Sequence, residues 1–233
     1  MPTILIVDDD PLIRDALSDA LPLHWPGVTV MAASEGEEAV RVVSAQQPDV
    51  VVLDVALPDL SGFEVLRRIR LVSDTTVIML SRLGDETHQL RGFQLGADDY
   101  LVKSLGITLL AARMQAVLRR KGASPGAGGV PDLDVGPLTL SVDRHEVVVR
   151  GRPIRLTSVE FTLLHLLAAN PGQVLTYTTL LTRIWGPDSF HTTDQLRVCV
   201  SRLHTKIERA GGPRCIENER GVGYRLVGPP PPS

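Results

Sequence analysis

The chain has 233 residues, 43% of them hydrophobic, and a formal net charge of −3. That is long enough for two modest domains, each with its own core. Its longest apolar runs fall short of a membrane-spanning helix, and two cysteines are too few for a disulfide framework. Met1-Pro2-Thr3 opens straight into an apolar run with no basic leader, so a cytoplasmic protein with no membrane partner is expected. The charge is uneven. Residues 1–120 carry 11 Lys/Arg against 17 Asp/Glu, and residues 121–233 carry 13 against 10. An acidic half joined to a mildly basic one suggests that the second half meets a polyanion.

Ile4-Leu5-Ile6-Val7 is a short uninterrupted apolar run, as expected for a strand covered on both faces in a parallel sheet, and it ends on Asp8-Asp9-Asp10. Asp10 is placed to cap a helix with Pro11 at its first position, followed by the stripe Leu12, Ile13, Ala16, Leu17, Ala20 and Leu21. A strand near Val28–Met31 and a helix over Glu35–Ala45 follow. The second apolar run, Val50-Val51-Val52-Leu53, closes on a lone acid, Asp54. Then come a helix over Phe63–Arg70, a strand over Thr76–Leu80, a helix over Glu86–Leu95, a strand over Tyr100–Val102 closing on Lys103, and a helix over Thr108–Arg120. These five βα units predict a doubly wound parallel α/β domain over residues 1–120.

In such a sheet the carboxyl ends of the strands face one crevice, so Asp8, Asp9, Asp54 and Lys103 should converge there. Clustered carboxylates repel one another, and a hard cation such as Mg²⁺, bound by oxygens, offsets that repulsion. A cation facing a carboxylate and an ammonium is suited to a phosphoryl group.

Residues 121–131, rich in Gly, Ser and Pro, predict a flexible linker. Beyond it, strands are expected at Leu138–Leu140, Glu146–Val149 and Ile154–Leu156. Thr157-Ser158-Val159-Glu160 has the form of a capping box opening a helix over Phe161–Ala169. Asn170-Pro171-Gly172 ends that helix. Two more run from Tyr177 to Ile184 and from Thr193 to Arg209, with Leu196, Val200, Leu203 and Ile207 as the apolar stripe of the last. A hairpin over Cys215–Val227 completes a winged helix-turn-helix, an α+β domain at 132–228, before a Pro-rich tail at 229–233 expected to be disordered.

The runs VDDDP, LDVALPDLSGFEVL around Asp54, MLSR at Ser81 and GADDYLVK ending in Lys103 resemble a response-regulator receiver domain. LTSVEFTLL, LLTRIWG, SRLHTKI and ERGVGYRL resemble the winged-helix effector of the OmpR/PhoB group of two-component regulators. The resemblance implies that a sensor histidine kinase phosphorylates Asp54. It assigns Asp9 and Asp54 as direct Mg²⁺ ligands, with the Ala56 carbonyl as a third and Asp8 acting through water. Ser81 would reach a phosphoryl oxygen, Arg82 would lie beside the pocket, and Tyr100 would turn inward as the switch. A homodimer on activation would form through Gln89, Asp98, Asp99, Leu109, Arg113 and Arg120. Double-stranded DNA would be met by Arg197, Ser201, Arg202, His204 and Arg220, and RNA polymerase is a further implied partner. No catalytic residues are expected: an aspartyl phosphohydrolase of the haloacid-dehalogenase type would carry an acid at position 56, which is Ala.

The chain departs from the family pattern at several places. Arg82 stands where a small residue is usual, and Ser104 where a proline follows the lysine. Gln89 and Leu109 replace a basic and an acidic residue, and Asp194 and His204 stand where arginine is frequent. Cys199 is read as facing outward. These departures leave a second reading open, a phosphorylation-independent or redox-gated transcription regulator of the same fold.

Overall fold

A computed structural model describes residues 1–82, 86–103, 110, 114, 132–142, 144–186 and 191–228. The chain divides into two compact units, Met1–Arg119 and Arg120–Ser233.

The first unit is built on five parallel strands: β1 (Thr3–Val7), β2 (Thr29–Ala33), β3 (Val50–Asp54), β4 (Thr76–Ser81) and β5 (Asp99–Val102). They lie in the order β2-β1-β3-β4-β5. Helices α1 (Pro11–His24), α2 (Gly36–Gln46), α3 (Gly62–Val72) and α4 (Glu86–Leu95) connect them. β3 and β4 are buried along their whole length, which is why their sequences are continuous apolar runs rather than alternations. Edge strand β2 is partly exposed and reads as a mixed pattern. Strand residues of one parity (Ile4, Ile6, Val50, Val52, Ile78, Leu80) pack with Leu17 and Leu21 of α1 and with Leu110 and Met114. Those of the other parity, Leu5, Val51, Leu53 and Met79, are equally buried.

Strand order reverses between β1 and β3, so their carboxyl ends flank the crevice where such sheets bind ligands. The local geometry there is tightly set. Asp10 caps α1 as expected, its Oδ1 accepting from Leu12 N at 3.0 Å. The turn after β3 folds back so closely that a Cβ on Gly62 would sit 2.0 Å from the Asp54 carbonyl oxygen, so only glycine fits. The start of α2 is capped from a distance: Asp59 accepts from Gly36 N at 2.8 Å and Glu37 N at 2.9 Å. Burial works to raise the Asp59 pKa, but those backbone donors outweigh it and hold it below the usual carboxylate value.

The second unit opens with an antiparallel sheet in the order β6-β7-β8-β9: β6 (Leu133–Val135), β7 (Leu138–Ser141), β8 (Glu146–Val149) and β9 (Arg152–Ile154). The strand expected at Ile154–Leu156 therefore begins and ends two residues earlier. Arg150 and Gly151 both have positive φ, 49° and 79°, and Val149 pairs with Arg152. That is the two-residue turn whose twist suits a tight hairpin. Three helices follow, α5 (Ser158–Ala168), α6 (Tyr177–Trp185) and α7 (Thr193–Arg209). A hairpin of β11 (Ile216–Glu219) and β12 (Gly223–Leu226) is joined by the short β10 (Leu175–Thr176), in the order β10-β12-β11. β6 and β10 were not expected. β10 approaches so closely that a Cβ on Gly223 would meet the Leu175 oxygen at 1.9 Å. Trp185 and Tyr224 are core residues, 1% and 3% exposed.

Candidate phosphoryl-acceptor site and nucleic-acid face

Ligand oxygens of Asp8, Asp9 and Asp54 all lie within 4.8 Å of one another. Asp8 and Asp9 follow β1 and Asp54 ends β3, so the three come together across the strand-order reversal. Asp8 and Asp54 are buried, while Asp9 is exposed. Lys103, just past β5, places Nζ 2.7 Å from Asp8 Oδ2 and 2.6 Å from Asp54 Oδ2. The backbone fixes the remaining oxygens: Asp10 N donates to Asp8 Oδ1 at 3.1 Å and Ala56 N to Asp54 Oδ1 at 3.2 Å. Burial, reinforced by the charge of Asp8, raises the Asp54 pKa against the opposing pull of Lys103 and the Ala56 amide. Burial works the other way on Lys103, but its hydrogen bonds to Asp54 and Asp8 outweigh it and hold the ammonium protonated. Two buried carboxylates and an exposed third present hard oxygen donors around one point, a set that fits a small divalent cation.

Sequence reasoning missed Arg14. Its Nη1 donates to the carbonyls of Asp8 at 2.7 Å and Asp9 at 2.9 Å, tying the acidic loop to the first turn of α1. The available signal was spacing: four residues after the capping acid, a side chain on this helix can reach back over its own start.

Ser81 is buried at the end of β4, beside β3, with Arg82 exposed next to it. Tyr100 points inward, 6% exposed, its ring so close to α4 that a Cβ on Gly92 would lie 3.2 Å from Cδ2. Gln89 is half-buried on α4. Asp98 is not a surface residue. It is fully buried, pairs with Arg70 Nη2 at 2.9 Å and accepts from Val77 N at 3.0 Å, so it joins α3 to the sheet rather than offering charge to a second protomer. Asp99 is also buried within its own protomer, its Oδ1 accepting from Tyr100 N at 2.8 Å. Leu109, Arg113 and Arg120 lie outside the described residues, as do Ser104, the helix expected over Thr108–Arg120 apart from Leu110 and Met114, the whole linker at 121–131, and the tail at 229–233.

In the second unit, Leu196, Val200, Leu203 and Ile207 form the buried stripe of α7. Its exposed stripe is Asp194, Arg197, Ser201, Thr205, Glu208 and Arg209. Two expected DNA contacts fall on neither outward position. Arg202 pairs with the buried Glu160 of α5 at 3.1 Å. His204 is buried, with Nε2 3.0 Å from the Ile216 carbonyl, which requires the Nε2–H tautomer as donor. Cys199, read as outward, is 3% exposed. Arg220 is exposed at the hairpin turn, where Gly221 has φ 75°. Between α7 and the hairpin lies a groove of about 550 Å³ lined by Arg197, Ser201, Asn218, Tyr224 and Arg225 among others.

Burial holds the His204 pKa below its ordinary 6.5, with the nearby Arg214 charge acting in the same sense. The unfolded chain then binds a proton that the folded unit resists, so stability is full above pH 6.5 and falls as pH drops below it. A His204→Gln protein should show a shallower decline of unfolding midpoint between pH 7 and 5.5 than wild type (roughly the window of histidine titration). Parallel declines would contradict this.

Residues 4–115 match the family described as Response regulator receiver domain, and residues 151–226 match Transcriptional regulatory protein, C terminal. The Response regulator MprA of Mycolicibacterium vanbaalenii is 41% identical over 98% of both chains. The chain belongs to the OmpR/PhoB group of two-component response regulators. Among other relatives of this response regulator is the DNA-binding dual master transcriptional regulator RpaA of Synechocystis sp., 38% identical over 97% of this chain and 95% of that one. The crystal structure of DrrB, a Thermotoga maritima OmpR/PhoB homolog, covers 98% of the regulator and all of its own chain, with 33% identity and a TM-score of 0.51. A receiver joined to a DNA-binding effector makes this a transcription regulator. Among its described residues no helix is long and apolar enough to cross a membrane.

Proposed function

We propose that Asp54 is the phosphoryl acceptor of this regulator and that a sensor histidine kinase is the donor. One observation carries the reading: the Asp54 carboxylate lies at the strand-order reversal between two further acids and a protonated lysine. In the reaction an Asp54 oxygen attacks phosphorus, the P–N bond of the donor phosphohistidine breaks, and the imidazole leaves with its electron pair. Lys103 meets the charge that develops on the phosphoryl oxygens, and the Ala56 amide holds Asp54 in position. Asp8, Asp9 and Asp54, with the Ala56 carbonyl, would hold Mg²⁺, which supplies neutralising charge when bound. Ser81 then takes a phosphoryl oxygen, and Arg82, exposed at the rim, adds a second positive charge.

Activation pairs two receivers through a face that includes Gln89, Leu109, Arg113 and Arg120. The effectors then occupy adjacent half-sites of duplex DNA in the cytoplasm, reading them with Arg197, Ser201 and Arg220 and placing the complex beside RNA polymerase. A phosphorylation-independent regulator remains the second reading, favoured by Tyr100 already pointing inward. Its redox-gated form loses support from the burial of Cys199. The deciding experiment is labelling of the full chain by a small-molecule phosphoryl donor with Mg²⁺. Wild type should take up one label per chain and shift toward dimer, and Asp54→Ala should do neither. Label retained by Asp54→Ala overturns the assignment.

A further inference from the structure

The exposed stripe of α7 is not basic. Asp194 and Glu208 accompany Arg197 and, at the far end of the helix, Arg209, so the face carries no net positive charge, and Arg197 Nη1 is held by Asp194 Oδ1 at 2.6 Å, with both side chains 59% exposed. Asp194 is not needed to close the start of the helix, since Gln195 Oε1 accepts from Thr192 N at 2.8 Å. An exposed ion pair contributes little to stability by itself. Its place does matter: the N-terminal residues of a recognition helix are those that reach base edges. A carboxylate among phosphates is repelled unless it accepts a hydrogen from a base, and in the major groove only cytosine N4 and adenine N6 offer one.

We infer that Asp194 and Arg197 read DNA as one unit. This rests on the effector being the DNA-binding half. Nη1 of Arg197 is held by Asp194 and the guanidinium also lies against the Tyr224 hydroxyl; on DNA its edge away from Asp194 donates to O6 and N7 of a guanine. The second oxygen of Asp194 accepts from the amino group of the neighbouring base pair. Because Asp194 fixes the guanidinium plane, less rotamer freedom is lost on binding. Because the pair is neutral, it adds selectivity while adding little to the sequence-independent attraction for phosphate. Asp194 is thus a specificity-determining and positioning residue, and the operator carries in each half-site a guanine beside a base pair whose amino group faces the same strand.

The test is selection from randomised duplexes by the full chain, with Mg²⁺ and a phosphoryl mimic, followed by affinity against salt. Wild type should enrich that two-base step. Asp194→Ala should lose about tenfold in discrimination at the neighbouring pair, while its log-affinity against log-salt slope steepens by about one, as a cation is unmasked. Arg197→Lys keeps the charge and should lose the guanine preference. Asp194→Ala with wild-type base preferences and slope overturns the inference while leaving DNA binding intact. Failure of wild type to enrich any sequence overturns the DNA-binding reading itself, and the inference with it.

Discussion

Lys103→Met is expected to lower receiver stability by about 3–5 kcal/mol, the usual consequence of removing one partner from a buried ion pair, and to slow phosphoryl uptake on Asp54 by about 100-fold. The lysine is the only ammonium within ion-pair distance of Asp8 and Asp54 among the described residues, at 2.7 and 2.6 Å. Those carboxylates are 0% and 2% exposed. Methionine fills a similar volume and leaves the two acids facing each other with only backbone donors. Added Mg²⁺ should restore much of the stability, because a cation bound to the folded acid cluster stabilises by mass action. It should not restore the rate, since the charge that Lys103 brings to the phosphoryl oxygens is still missing. Urea unfolding with and without Mg²⁺, paired with single-turnover labelling, reads both effects. A Mg²⁺-insensitive midpoint equal to wild type would mean that the lysine and the acids do not share one electrostatic site.

Strand-end charges were legible in the sequence because each closes an uninterrupted apolar run, and parallel topology leaves such charges one place to meet. Partners far along the chain were not legible. Asp98 and Asp99 sit side by side and look alike as surface acids, yet the Arg70 that pairs with Asp98 comes from α3, 28 residues earlier. The cap of α2 is likewise supplied by Asp59, 23 residues beyond the helix start, so the local residue Glu35 gives no sign of it. The β8–β9 turn escaped because Arg150-Gly151 lacks the Asn or Asp that usually marks two successive positive φ values.

His204 and Cys199 are a different case. Their spacing from Leu196, Val200 and Leu203 is the three- and four-residue spacing of the buried stripe itself, so periodicity already placed them inward. Taking their roles from the family pattern, rather than from the helical repeat of this chain, put them on the wrong face. The same repeat sends Arg202 sideways toward α5, where its charge is used inside the effector against the buried Glu160.

That internal use defines the other large effect. Glu160 is 1% exposed and serves three partners: its Oε2 accepts from Thr157 N at 2.9 Å, closing the capping box of α5, and from Lys206 Nζ at 2.6 Å, while Arg202 lies 3.1 Å from Oε1. One carboxylate therefore fixes the start of α5 and clamps α7 against it. Glu160→Ala should destabilise the effector by about 3–5 kcal/mol, because two cations lose their buried counter-charge together with the cap. Glu160→Gln keeps the cap acceptor and should lose less.

Burial works to raise the Glu160 pKa, but the charges of Arg202 and Lys206 outweigh it and hold it below the ordinary 4.5. A depressed acid contributes stability that is fully present above its unfolded value and disappears as pH falls through its folded value. Wild type should therefore lose a further increment of effector stability below pH 4.5, in a window separate from the histidine decline, and Glu160→Gln should not show it. In a Trp25→Phe background, fluorescence of the buried Trp185 reports unfolding of this unit alone. Equal acid-limb slopes for wild type and Glu160→Gln would show that the clamp is not ionised in the folded protein. The effector would then be held by its apolar core without that charge.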